Sequence, residues 1–179
     1  MNALRNPHVG QYLNRHFVSA FQKVATFEIN GGEKQGGNVA GYFCTANFRV
    51  LHAVAGPVDA ATFLREARWA NETFQMAQLG DRTPAEMQAF FRRAHLDRLQ
   101  REHVVTLPED RLPPAQDVSA KYLEQLVTRN KHLGLGNLGQ VHLLLAVGSL
   151  PRLDQVYPVV FEKILNEKIS TNPVAVANR

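Results

Sequence analysis

The chain has 179 residues, 20 Lys or Arg against 16 Asp or Glu, and a formal charge of +4. Its basicity is spread evenly over both halves, which argues against a nucleic-acid binder built on a basic stripe. A single cysteine, Cys44, excludes an intrachain disulfide and fits a reducing compartment. No apolar run approaches the ~18 residues of a membrane span, and the first residues lack the apolar core of a secretory signal, so a cytoplasmic protein is expected.

Residues 1–8 read as irregular, and Val9–Phe17 as a short amphipathic helix with Val9, Tyr12, Leu13 and Phe17 on one side. Phe21–Ile29 alternates as a strand, Asn30-Gly31-Gly32 ends it, and Glu33–Asn38 reads as a glycine-rich loop. The stretch Val39–Leu64, VAGYFCTANFRVLHAVAGPVDAATFL, is the organising element. It predicts two antiparallel strands joined at Thr45-Ala46-Asn47-Phe48, with Asn47 as the pivot because Asn tolerates positive φ. Gly56-Pro57 stops the pairing, and Asp59 caps a helix to about Gln78. Thr83-Pro84-Ala85-Glu86 is a capping-box start for a helix to about His103. Residues 104–117, rich in proline, read as an extended linker. Asp117 or Ser119 caps a helix through Lys131, a further helix spans about Gly139–Val147, and Pro151 and Asp154 open the last one. The apolar stripes beyond residue 84 need a surface, whether one another, the open side of the sheet, or a second copy.

Several motifs invite chemistry. Gly134-Leu135-Gly136-Asn137-Leu138-Gly139 spells G-x-G-x-x-G, but a helical segment precedes it where a dinucleotide site needs a strand, so a helix–turn–helix link is expected. No two of the seven histidines show the i, i+4 spacing of a helical zinc site, and no metal or cofactor is expected. His95 and His103 lie about 12 Å apart along one helix, too far for one ion. Cys44 on a central strand reads as a buried small hydrophobe. Its functional alternative is a thiolate stabilised by His52 or Lys23.

Two phrases carry a family resemblance. VGQYLNRHFVSAFQKVATFEI resembles the helix-to-strand passage after the active site of bacterial thioredoxin-like proteins. YFCTANFRVLHAVAGPVDAATFLREA resembles their terminal hairpin and last helix. The resemblance covers about 70 residues and implies an α+β protein: a partial thioredoxin-like helix–strand–strand–strand–helix domain over 1–80, then an all-helical extension over 81–179. It implies no dithiol chemistry, because the place of the C-x-x-C pair falls at or before Asn6-Pro7-His8 and no proline stands near Asn38-Val39. The first functional expectation is therefore a redox-inactive scaffold or protein-interaction module with no catalytic residue, acting with a protein partner or as a homo-oligomer. The alternative is a single-cysteine thiol enzyme or redox sensor using Cys44 and His52. A third reading is anion or nucleic-acid binding through Lys34, Arg49 and the glycine-rich loop.

Overall fold

A computed structural model describes residues 3–22, 28–30, 33–35, 38–114 and 118–169. The elements run α1 (Pro7–His16), β1 (Glu28–Asn30), β2 (Glu33–Gln35), β3 (Ala40–Cys44), β4 (Val50–Ala55), α2 (Ala60–Gln78), α3 (Pro84–His103), α4 (Ala120–Arg129), α5 (Asn137–Gly148) and α6 (Leu153–Val159). The protein is thus α+β. Among the described residues no helix is long and apolar enough to cross a membrane.

The first helix starts earlier than its apolar stripe suggests. Asn6 caps it by accepting the His8 N–H at 2.9 Å, and Pro7 occupies the first turn, where its missing N–H costs nothing. Residues 23–27 of the expected Phe21–Ile29 strand lie outside the described residues. The strand there is Glu28–Asn30, and it pairs antiparallel with Glu33–Gln35, inside the segment read as a loop. The strands therefore form two separate two-stranded hairpins among the described residues.

The β3–β4 hairpin forms as expected, pairing Ala40 with Ala55 through Cys44 with Val50, with a register shift between Phe43 and Cys44. Its pivot differs. Phe48, not Asn47, takes the left-handed conformation at φ 60°, while the Asn47 side chain accepts from Thr45 Oγ1. Gly56 takes φ 83°, and a Cβ there would sit about 3 Å from Asn137 Nδ2 and Leu165. The Gly-Pro break thus turns the chain where a side chain has no room. Asp59 accepts the Thr62 N–H at 2.7 Å, and the Thr83/Glu86 capping box forms in full.

Strand β4 is buried at every residue, which requires cover on both faces. One face carries Val50, Ala53 and Ala55 into a core with Leu123 and Val127 of α4, Val141, Leu144 and Leu145 of α5, and Val156 and Val159 of α6. The other packs Val54 with Phe43, Val9, Phe63 and Ala67. Helices beyond residue 84 therefore find their partner surface on the hairpin, and residues on both sides of position 80 share a continuous core. Helix α5 is largely apolar and is buried from Val141 to Gly148, His142 included, as a central helix must be. Its last carbonyls are met by Arg92 of α3, which donates to Ala146 O at 3.2 Å and to Ser149 Oγ at 2.8 Å. Gly134, at φ 62°, ends the short 3-10 turn Lys131–Leu133 before α5, so G-x-G-x-x-G is a helix–turn–helix link.

Candidate functional site: a buried histidine centre

Three elements each bring one buried histidine to the same cluster. His52 comes from the middle of β4, His95 from the inward face of α3, and His142 from α5. All three are at most 1% exposed. One nitrogen of each falls within 4.8 Å of the others. Ring centroids are 4.9 Å apart for His52–His142, 5.0 Å for His95–His142 and 5.8 Å for His52–His95.

Hydrogen-bond partners fix the tautomers. His52 Nε2 lies 3.1 Å from Glu66 Oε2. Burial pushes the Glu66 carboxyl up, but the hydrogen bond from His52 and the charge and hydrogen bond of Arg98 outweigh it and hold the group below its ordinary value. An ionised carboxylate only accepts, so His52 Nε2 carries the proton and Nδ1 presents a lone pair. His95 Nε2 lies 3.0 Å from Leu51 O, so it donates there and Nδ1 is a lone pair too. That lone pair faces His142 Nδ1 at 2.8 Å, so His142 donates through Nδ1 and keeps its own lone pair on Nε2. His52 Nδ1 and His142 Nε2 are buried and meet no hydrogen-bond partner.

Electrostatics keep the three rings neutral. Burial pulls His52 below its usual range, against the hydrogen bond and charge of Glu66, which pull the other way. Burial and then neighbouring His52 hold His95 and His142 well below it. Charge is balanced one shell out. Arg98 donates to Glu66 Oε1 at 3.0 Å and to Glu102 Oε2 at 2.7 Å, and Arg65 reaches Glu66 Oε1 at 2.9 Å. The Arg98 guanidinium lies 5.0 Å over the ring of Trp69, whose indole packs edgewise against all three imidazoles at 5.0–5.4 Å.

Neutral imidazole is the ligating form of histidine. Metal-binding histidines almost always donate their second ring N–H to a carboxylate or backbone carbonyl. His52 with Glu66 and His95 with Leu51 O both have that arrangement. An ion at 2.0–2.1 Å from three nitrogens in a tetrahedral array sets those nitrogens about 3.4 Å apart; here His95 Nδ1 and His142 Nδ1 stand 2.8 Å apart and the whole set lies within 4.8 Å, so small ring shifts bring it to that geometry. The all-nitrogen donor set suits zinc, copper, nickel or iron and not the oxygen-seeking magnesium or calcium. The centre can therefore hold a first-row transition ion, with one proton now bridging His95 and His142.

Sequence spacing missed this centre. Its members stand 43 and 47 positions apart, and a search within single helices cannot see them. A weaker signal was present. His52 sits in VLHAVA, His142 in VHLLLAV, and His95 on the face shared by Phe91, Arg98 and Leu99, so each marks a polar group in a buried run.

The other expected site residues do not converge. His52 stands opposite Phe43 in the hairpin, whereas Cys44 pairs with Val50 and packs toward the α4–α5–α6 core. Burial pushes the Cys44 thiol up to about 11. A helper for a thiolate is absent at His52, whose Nε2 is committed to Glu66. Alkylation at pH 8 is accordingly expected to be about a hundredfold slower in the native protein than in the urea-unfolded chain, following the two-unit rise from 9.0. Equal rates would reinstate a reactive thiol. Lys23 and the Lys34 side chain lie outside the described residues, and the Arg49 guanidinium bonds Leu150 O at 3.3 Å. No protein-family model, curated protein or solved structure matches the chain.

Proposed function

We propose that this protein binds a transition-metal ion, zinc being the simplest case, through His52, His95 and His142. The observation that carries the reading is that Glu66 holds His52 Nε2 and Leu51 O holds His95 Nε2, which leaves both Nδ1 atoms as lone pairs in a buried cluster where one nitrogen of each histidine lies within 4.8 Å of the others. Glu66 also places a carboxylate against His52, and Arg98 keeps that carboxylate ionised and oriented. Three protein nitrogens leave a fourth position for a non-protein ligand, the pattern of zinc sites that activate water or polarise a carbonyl.

Dialysis of the protein against cobalt(II) followed by buffer is expected to retain one ion per chain, with visible d–d bands of a tetrahedral site. Trp69, the one tryptophan, lies near the centre, so its emission is expected to be quenched as cobalt binds. His95→Ala and His142→Gln are each expected to lower affinity at least a hundredfold while circular dichroism shows the fold retained. Substoichiometric cobalt in the folded wild type, or unchanged affinity in both variants, refutes the reading.

A second reading retains the thioredoxin-like kinship of residues 9–78 and treats the protein as a non-catalytic cytoplasmic interaction module. It is favoured by exposed apolar side chains at Val18, Phe21, Leu79 and Val104. Sedimentation that stays monomeric at 100-fold dilution and at high concentration alike would remove its homo-oligomeric form.

A further inference from the structure

We propose that the cleft between α2 and α3 is the approach to the histidine centre, and that it takes a small carboxylate-bearing molecule with an apolar body. The proposal rests on the metal-binding reading above. All three imidazoles are sealed, so a ligand for a fourth coordination position must cross a wall. Trp69 belongs both to that wall and to the cleft. Its indole packs against each imidazole, and it lines a cavity of about 470 Å³ together with Thr73, Met76, Phe90 and Arg98. That volume falls in the range of small-molecule sites. Arg98 is likewise shared, lying over the indole on the cleft side and bonding Glu66 behind it. On this proposal the Trp69 side chain is the group that must move to join the cleft to the centre.

Charge at the cleft selects the ligand. Arg93 and Arg101 line it with side chains 71% and 77% exposed. Their partners, Glu109 at 3.1 Å and Asp97 at 3.5 Å, are themselves about half exposed, and such surface pairs hold weakly enough for a carboxylate to compete. The acidic groups of the lining are Asp97 and Glu86. Glu86 is turned to the Thr83 N–H and hydroxyl at 2.8 Å in the helix cap. Guanidinium accepts carboxylate in a two-point grip, and Trp69, Met76 and Phe90 offer apolar surface for the rest of the molecule.

The test uses the cobalt-loaded full chain and benzoate as probe, at constant ionic strength with chloride as control. Benzoate is expected to shift the cobalt spectrum saturably in the millimolar range, and chloride is not. Ala89→Trp fills the cleft from an exposed position and is expected to leave cobalt stoichiometry intact. It should weaken the benzoate effect at least tenfold and slow cobalt removal by dipicolinate. Arg101→Glu is expected to weaken benzoate about fivefold or more. Cobalt bound normally but blind to benzoate overturns the cleft proposal alone, as does an undiminished effect in Ala89→Trp. Failure to bind cobalt overturns the metal reading and this proposal together.

Discussion

Lowering the pH from 6.5 to 5.5 is expected to remove about 3 kcal/mol of folding stability from the metal-free protein. The three central histidines are neutral in the fold, and burial is the first cause for each. In the unfolded chain they titrate at the ordinary value of 6.5. Their folded values are depressed, so their contribution is present above pH 6.5 and is lost as pH falls toward the folded values. Over that window the unfolded state binds on average about two more protons than the native state, and each contributes about 1.4 kcal/mol per pH unit. Domains of this kind hold only ~5–15 kcal/mol, so a stability at the lower end of that range puts acid unfolding near pH 5. Glu66 acts in the same sense lower down, below its ordinary 4.5. Urea melts followed by Trp69 emission at half-unit intervals measure the slope. A slope corresponding to one proton or fewer would mean that these rings are solvated or already charged. Bound zinc is expected to steepen the loss, because protons compete with the ion for the same nitrogens.

Glu66→Ala is expected to cost about 3–5 kcal/mol, the usual penalty for removing one partner of a buried ion pair. It strips the acceptor from His52 Nε2 and leaves both nitrogens of a fully buried ring without a partner. Arg98, itself 9% exposed, then depends on Glu102 alone. Glu66→Gln separates the two roles. Its amide oxygen still accepts from His52, so stability is expected to fall by about half as much, while the lost charge should lower metal affinity about 10–100-fold. Denaturant midpoints and cobalt titrations on the two variants decide the matter. Equal stability losses would show that hydrogen bonding to His52 is not what Glu66 contributes.

The β3–β4 hairpin, the Asp59 cap and the Thr83 capping box were legible because each is a local contract between neighbouring residues and backbone groups. The start of α1 was equally local, in Asn6-Pro7, yet its apolar stripe began later and drew the boundary inward. Phe48 in place of Asn47 at the pivot, and Glu33–Gln35 as a strand, were not legible. In both places cross-strand hydrogen bonds outweigh the conformational preference of single residues.

Chain order and chemistry therefore specify the existence of the helices, the Asp59 and Thr83 caps, the central hairpin and the glycine link before α5. Tertiary structure alone decided that β4 is covered on both faces and that Cys44 and His52 face apart. It also decided that three histidines from distant positions share one dry point. The reason is physical. Caps and periodicities are set by interactions within a turn or a strand pair, whereas a ligand set depends on which buried faces meet. Burial then converts ordinary histidines into neutral, oriented donors, a property no one of them carries in the unfolded chain.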